Sequence, residues 1–460
     1  MTPASSASAQ VAAAKGHLWG SFGKDPSYFD LPGSIIASAE GSTVVDIEGD
    51  SFVDSWSCAC AATLGYNHPQ VVEAMREQMS SIVQNPTGWP ASTVQVELAE
   101  QIASLTPDPL EYTIFSCNGT DANETAIKIA RQYFQLQGKS MKYKVISRDR
   151  AYHGVSFATL SAGGMSRRRK YMEPLPTGYA QVGTPYCYRC KYPGSCPDCA
   201  MAYAEELRTE IEAQDPATVA CFILEQTPVG GGVLPPSAEY LTRVREICDE
   251  YDVLLIFDEV ITGFGRTGTW FECEQFGVVP DLLTMAKGLT SGHAALSATH
   301  ARAELAECFF GDPSRVFAHG YTFGGMPVAC AAALATIEVI RSTDLLAQIP
   351  ERSAAIRAGL DEIAERSSLV GDVRHKGMLF AVELVEDQET RANWDDPTRS
   401  KIAQLLGAAA RDNGVIMQPF NQFGTSFLSI APPLNVADED VETIFVALEA
   451  ALLAVQNGLA

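Results

Sequence analysis

The stretch "VLLIFDEVITGFGRTG", residues 253–268, places an acidic residue directly after a run of apolar ones. The five apolar residues before Asp258 predict a buried strand that ends in a carboxylate. Ligands of open α/β sheets bind beyond the carboxyl ends of the strands, and a buried carboxylate normally faces a cation or a protonated nitrogen. The pattern therefore predicts a ligand site at Asp258, with a structural salt bridge or a helix cap as the alternative.

Similar apolar runs lie on both sides of this stretch. "YKVISRD" (143–149), "VACFILEQ" (219–226) and "DLLTMA" (281–286) are typical of buried strands, and "AEYLTRVREICDEYD" (238–252) is typical of a helix. Strands that alternate with helices predict a mostly parallel sheet with helices on both faces.

The chain has 460 residues, 46% of them hydrophobic, which suits two domains rather than one. Residues 1–16 are expected to form a flexible tail. Residues 17–69 include the strand-like "GSTVVDIEGDSFVDSW" and are expected to pack with a smaller α+β domain over 331–460. Residues 70–330 would form the large domain.

The charge balance excludes several function classes. With 33 basic and 56 acidic residues the net charge is -23, so the general surface should repel nucleic acid and anionic lipid. We find no apolar run of the roughly 18 residues that a membrane span needs, and no secretory signal at the start. Several of the 12 cysteines lie in apolar stretches, as free thiols do. A cytoplasmic protein that binds neither nucleic acid nor membrane is expected.

One segment, "CYRCKYPGSCPDC", spaces four cysteines as two C-x-x-C pairs: Cys187, Cys190, Cys196 and Cys199. Such pairs can bind zinc, but the five residues between them are fewer than common structural sites use. We therefore predict a thiol-rich surface loop without metal, and leave metal binding or disulfide formation as alternatives.

The stretch "TMAKGLTSG" (284–292) contains a single lysine, Lys287, at the end of another apolar strand. A lysine with its ordinary pKa of about 10.4 is protonated at neutral pH, and only desolvation or a nearby cation makes the amine nucleophilic. Lysines placed in this way form Schiff bases. The alternative is a lysine that extends from a strand end to solvent.

A third stretch, "CNGTDANETAIKIAR" (117–131), opens a helix with the turn Gly119-Thr120. The first N–H groups of a helix lack internal partners, so such a turn can bind a phosphate. An ordinary helix capped by Asp121 and Glu124 is the alternative. Taken together, a phosphate site, a buried aspartate and a desolvated lysine at the strand ends of one sheet are what pyridoxal phosphate requires.

On these residues the chain resembles the class III (ω-amino acid) aminotransferases, which are pyridoxal phosphate enzymes of fold type I. The resemblance extends from about residue 17 to 455 and rests on six motifs in the family's order: "LGYNHPQVVEAM", "CNGTDANETAIKIAR", "RAYHGVSFATLS", "FDEVITGFGRTG", "TMAKGLTSG" and "HGYTFGGMPVACAAAL". It implies an α/β fold with a large domain, whose mostly parallel sheet is flanked by helices, and a smaller α+β domain.

The resemblance also implies a reaction and an assembly. By a ping-pong mechanism, an amino group would pass from an amine or ω-amino acid to a keto acid, with pyruvate as a candidate acceptor. A homodimer, or a larger assembly, with active sites at the interface is implied. The fold does not fix the chemistry, so decarboxylation, racemisation or an aminomutase reaction stays open, as does a non-catalytic cofactor- or metal-binding scaffold protein.

By the same resemblance, four residues would act on the cofactor ring. Lys287 would carry the internal aldimine and then move the proton. Asp258 would keep the ring nitrogen protonated, while Tyr152 and Val260 would pack on the two faces of the ring.

Further cofactor contacts follow from the resemblance. Gly119 and Thr120 would bind the phosphate, and Thr322 of "HGYTFGG" would reach the phosphate bound to the partner subunit. Glu225 aligns with a family glutamate near the active site.

Three departures from the family bear on the substrate. In "EQTPVGGGVLPP", Gln226, Thr227 and Pro228 stand where the family usually has Pro-Val-Gln, so a side-chain amide often found beside the ring hydroxyl is missing or displaced. Gln418 stands where many relatives carry an arginine for the substrate carboxylate, and a neutral amide cannot make that bidentate charged pair. Phe323-Gly324 stands where relatives often carry a more polar pair of residues. Trp19 and Trp56 join Gln418 and Tyr152 as candidate pocket residues, with core packing as the alternative for the tryptophans.

Overall fold

The strands of the computed structural model form three sheets, and the structure describes residues 6–21, 24–86, 90–193 and 198–459. In chain order the strands are β1 (Ile36–Glu40), β2 (Thr43–Asp46), β3 (Ser51–Asp54), β4 (Leu110–Ser116), β5 (Lys144–Arg148), β6 (Tyr179–Val182), β7 (Val219–Leu224), β8 (Leu254–Asp258), β9 (Leu282–Met285), β10 (Ser297–Arg302), β11 (Val370–Lys376), β12 (Leu379–Leu384), β13 (Val415–Ile416), β14 (Gln418–Gln422) and β15 (Thr425–Ile430).

The helices connect and cover these sheets. They are α1 (Ala7–His17), α2 (Ser57–Cys60), α3 (Pro69–Ser81), α4 (Thr93–Leu105), α5 (Gly119–Leu136), α6 (Phe157–Ala162), α7 (Ser166–Arg169), α8 (Asp198–Ala213), α9 (Ala238–Glu250), α10 (Ala303–Glu307), α11 (Pro327–Ser342), α12 (Leu345–Arg366), α13 (Asp396–Asp412) and α14 (Asp438–Leu459). Element α2 is a single left-handed turn, because its four residues all have positive φ.

The central sheet has seven strands in the order β4-β10-β9-β8-β7-β5-β6. Strands β6, β5, β7, β8 and β9 are parallel, and β10 is antiparallel to both of its neighbours. The four strands predicted from the apolar runs are β5, β7, β8 and β9, so the mostly parallel sheet is confirmed. Their carboxyl ends lie at one edge, which is where Asp258 and Lys287 are found.

Each face of this sheet is buried under helices because successive residues of a strand point to opposite sides. In β7, Cys221 and Ile223 join one apolar cluster, which includes Ile127 of α5. The intervening Phe222 joins a second cluster, which includes Val244 of α9. Helices therefore cover both faces, as predicted.

The C-terminal part of the chain forms the antiparallel sheet β11-β12-β15-β14, against which α12 and α13 pack. The N-terminal hairpin reaches this part through β3, which pairs in parallel with β13. The division at residues 69 and 330 stays a prediction. Residues 7–17 form α1, where the sequence predicted a flexible tail up to residue 16; the hydroxyl of Ser6 caps this alanine-rich helix.

The C-terminal helix α14 is long and apolar enough to cross a membrane by length and composition alone. Its buried residues include Ile444, Leu448 and Leu452, and it packs against α13 and α12. It is therefore a packing helix of the C-terminal part of the chain.

The four-cysteine loop differs from the prediction of reduced thiols. Cys187 is disulfide-bonded, and its Sγ also lies 4.0 Å from that of Cys199. Cys190 keeps its thiol, and Cys196 lies outside the described residues.

Candidate active site

Lys287 begins a short 3-10 turn, Lys287–Thr290, directly beyond β9. Burial lowers the pKa of its amine, and the nearby Cys60 and Asp258 oppose this shift without cancelling it. Within the described part of the chain, no salt bridge joins Lys287 to a carboxylate. A desolvated amine of this kind carries less positive charge at neutral pH and is the form that attacks a carbonyl carbon.

Asp258 ends β8 and is only 3% exposed. Its Oδ2 accepts a hydrogen bond from the amide of Asn123 (2.7 Å) and lies 2.8 Å from Nδ1 of His153. Its Oδ1 accepts the backbone N–H of Val260 at 3.1 Å. Thr284 donates to Oδ1 of Asn123 at 2.7 Å and so fixes that amide. These contacts hold the carboxylate in one orientation at the edge of the sheet.

Sequence reasoning missed Asn123, His153 and Thr284. All three occur inside the quoted stretches, but each comes from a different element and meets Asp258 only through the fold. For His153 the sequence did contain a signal, because this histidine directly follows the predicted site residue Tyr152. The Nε2 of His153 is buried and has no partner among the described residues.

The Gly119-Thr120 turn begins helix α5, and the side chain of Asn118 caps the N–H of Asp121. The first N–H groups of a helix have no partners within it, which leaves those of Gly119 and Thr120 available. Asn118, and not Asp121 with Glu124, is therefore the cap. Glu124 instead accepts a hydrogen bond from the hydroxyl of Ser156 at 2.6 Å.

Close approaches join this turn to the residues predicted to hold the ring. A Cβ at Gly119 would lie 2.8 Å from the Val260 side chain, so only glycine fits there. A Cβ at Gly154 would lie 2.6 Å from Oγ1 of Thr120. The structure thus brings the helix start, Val260 and the "YHG" segment together.

Tyr152 is positioned by Glu225, whose Oε1 accepts the Tyr152 backbone N–H at 2.9 Å. Burial raises the pKa of the Glu225 carboxyl to about 7. The guanidinium of Arg168 lies 4.7 Å from the centre of the Tyr152 ring. Glu225 follows β7 just as Asp258 ends β8, so both carboxyl groups lie at the same edge of the sheet.

The remaining predicted residues are more scattered. Trp56 meets Phe420 edge-on, with ring centres 5.2 Å apart. The Gln418 amide donates to the carbonyl of Pro419 at 3.1 Å. Trp19 is 98% exposed, which excludes core packing within this chain.

Thr322 is also exposed, and its carbonyl accepts a hydrogen bond from Gln84 at 2.8 Å. The side-chain amide of Gln226 donates a hydrogen bond to the buried Glu259 carboxylate at 2.7 Å. It therefore does not replace the missing family amide.

Comparison with known proteins identifies the family. The family model described as "Aminotransferase class-III" matches residues 28–452. The chain belongs to the class-III aminotransferases. A probable aminotransferase of Mycobacterium tuberculosis is 37% identical over 95% of this chain and 92% of its own length. The taurine–pyruvate aminotransferase of Bilophila wadsworthia is 33% identical over 92% of this chain and 93% of its own length.

A solved structure agrees with this assignment. The (S)-enantioselective omega-transaminase of Thermomicrobium roseum is 34% identical and superposes with a TM-score of 0.93, covering 98% of this chain and 99% of that one. The expected fold type I is confirmed. As a class-III aminotransferase, the enzyme depends on pyridoxal phosphate and transfers an amino group from an amine to a keto acid.

Proposed function

We propose that this class-III aminotransferase is an ω-transaminase that takes its amino group from an ω-amino acid or an amine and gives it to pyruvate. The observation that carries the proposal is that a desolvated Lys287 and the firmly held Asp258 lie at the same edge of the sheet. A taurine–pyruvate aminotransferase among the relatives supports pyruvate as the acceptor.

The side chains present fit pyridoxal phosphate. Lys287 offers an amine to the aldehyde, and Asp258 offers a carboxylate to the ring nitrogen. The open N–H groups at Gly119 and Thr120 suit the phosphate, because a helix start favours an anion. Tyr152 and Val260 would hold the two faces of the ring.

When bound, the cofactor supplies an electron sink for the pair of electrons left on the substrate carbon. The protein supplies proton transfer and orientation. Burial keeps part of the Lys287 amine neutral, so its Nζ is able to accept the substrate proton and return it. Asn123 and His153 hold the Asp258 carboxylate ready for a protonated nitrogen, with no reorganisation needed during the reaction.

A homodimer is part of the proposal. Two large apolar side chains beside the start of α5, Val155 and Phe323, are each 59% exposed. The Val155 N–H lies 3.4 Å from Oγ1 of Thr120, and the Phe323 backbone contacts Cys117. Exposed apolar groups on both sides of a phosphate site indicate a surface that a protein covers. A second copy would cover it, and its Thr322 would reach the phosphate.

Because most cysteines are thiols, we also propose the cytoplasm as the compartment.

The holoenzyme test is a panel of amino donors against pyruvate, with alanine formation as the readout. We expect alanine to form with ω-amino acids and with simple amines, and K287A to form none. The surface variant K401A is the matched control and should behave like the wild type.

Other reactions of the fold give other outcomes. Release of carbon dioxide, or loss of optical activity, without transfer to the keto acid would identify a decarboxylase or a racemase and reject the proposal. A protein that binds the cofactor but shows no spectral change with any donor would be the non-catalytic scaffold.

A further inference from the structure

Arg150 is a half-buried arginine whose guanidinium has no acceptor among the described residues. It lies between two aromatic rings, 4.8 Å from the centre of Tyr186 and 4.8 Å from that of Phe423. Its Nη1 is fully buried without a hydrogen-bond partner. We find no hydrogen bond or ion pair of this guanidinium to any described residue. Burial lowers the pKa of Arg150, although nearby Tyr186 and Asp149 oppose the shift.

Other buried arginines of the chain do have acceptors. Arg148 donates to the carbonyl of Gln226, and Arg266 donates to that of Pro432. Arg374 forms ion pairs with Asp372 and Glu383. A buried guanidinium nitrogen that is left without an acceptor is costly, so Nη1 of Arg150 points to a ligand that supplies one.

The position of Arg150 is at the edge of the substrate side of the site. It precedes Tyr152 by two residues. A Cβ at Gly231 would lie 3.2 Å from Cβ of Arg150, and a Cβ at the adjacent Gly230 would lie 3.8 Å from Cβ of Tyr152. The same glycine segment therefore contacts both side chains.

The second ring on Arg150 belongs to the substrate side as well. Phe423 is at the turn between β14 and β15, and β14 begins at Gln418. Phe420 of the same strand meets Trp56. Arg150 thus lies between the Tyr152 segment and the hairpin that carries the neutral Gln418.

We propose that Arg150 binds the anionic end of the substrate, a carboxylate or a sulfonate, in place of a charged residue at position 418. The inference rests on the proposed function. A planar guanidinium binds either oxoanion through two parallel hydrogen bonds. The two rings hold the group in place, so less side-chain freedom is lost when the anion binds.

Single half-reactions test this assignment, because they avoid the carboxylate of the acceptor. The holoenzyme is mixed with β-alanine, taurine or propylamine, and the loss of the bound cofactor's absorbance is followed. Propylamine matches β-alanine in chain length but has no anion. For R150Q, the ratio of the second-order rate constant with β-alanine or taurine to that with propylamine should fall roughly 10- to 100-fold.

Three further variants make the result specific. R150K keeps the positive charge but lacks the planar guanidinium, so its ratio of rate constants should lie between those of R150Q and the wild type. This variant still tests the proposal if R150Q folds poorly. R366Q removes an exposed arginine that pairs with Glu449, and should keep the wild-type ratio. R168Q removes the guanidinium above Tyr152.

The outcomes separate cleanly. A fall confined to β-alanine assigns a carboxylate, and a fall confined to taurine assigns a sulfonate. An unchanged ratio in R150Q and R150K, or a fall that appears in R168Q alone, overturns the proposal. A wild-type enzyme that reacts with no donor would contradict the proposed function instead.

Discussion

The two sides of the active site are built differently. Around Asp258 the side chains are buried and hydrogen-bonded to each other from β8, β9, α5 and the "YHG" segment. On the other side, beside the start of α5, Val155 and Phe323 are exposed apolar groups without such a network. The residues proposed to hold the cofactor ring are complete in one chain, whereas the helix start proposed to bind the phosphate is left open on a surface.

This difference shows which features depend on one chain and which depend on two. The buried side should tolerate little change, since each group there fixes another. The open side should depend on assembly. The variants below act on the two sides in turn and on the buried carboxylates behind them.

The largest effect is expected for D258N on the buried side. Asparagine keeps the shape but removes the negative charge that faces the ring nitrogen, so the half-reaction with an amine donor should slow roughly 10²- to 10³-fold. Stopped-flow absorbance measures this rate. D249N, which changes an exposed aspartate of α9, is the control, and a D258N rate within a few-fold of wild type would reject the role of Asp258.

A smaller effect is expected for T322D on the open side. An added carboxylate near a phosphate repels it, and cofactor affinity should fall on the order of 10-fold. T209D, at an exposed threonine of α8, should bind the cofactor normally.

Subunit mixing tells whether Thr322 acts across the interface. When T322D and K287A chains are mixed, one site of each hybrid dimer has Lys287 from one chain and Thr322 from the other. Normal cofactor affinity should return at that site. If Thr322 acts within its own chain, mixing restores nothing.

A separate effect, on stability and its pH dependence and not on rate or affinity, is expected behind the site. Burial and the neighbouring Glu259 raise the pKa of Glu272 to about 7, from an ordinary 4.5. The folded state therefore favours the protonated acid, and this contribution is full below about pH 4.5 and is lost as the pH rises through about 7. E272Q stays neutral and should gain stability relative to wild type between pH 4.5 and 8, by up to about 3 kcal/mol.

Thermal unfolding across this pH range measures the effect. E362Q, at an exposed glutamate of α12, should follow the wild type at every pH. A constant difference between E272Q and wild type would mean that Glu272 is ionised in the folded protein.

Much of the fold could be predicted because its signals are local. The apolar runs before Asp258 and Lys287 gave the strands of the central sheet, and the polar residue at each strand end gave the site. His153 and Asn123 could not be predicted in this way, because they are 105 and 135 residues from Asp258 in the chain.

Two other features depend on contacts that no local pattern contains. Arg150 is unusual only because the fold surrounds it with Tyr186 and Phe423 and gives it no acceptor within the described ranges. The bonded state of Cys187 likewise depends on the fold and not on the spacing of the cysteines alone.

Lys287 is proposed to be the residue that bonds the cofactor. Borohydride reduction of the holoenzyme, followed by protease digestion and mass spectrometry, tests it directly, because reduction makes the lysine–cofactor bond permanent. We predict the cofactor mass on the peptide that contains Lys287 and on no peptide of K287A. A label on a different lysine, or an unlabelled Lys287 peptide from a protein that has bound the cofactor, would contradict the account.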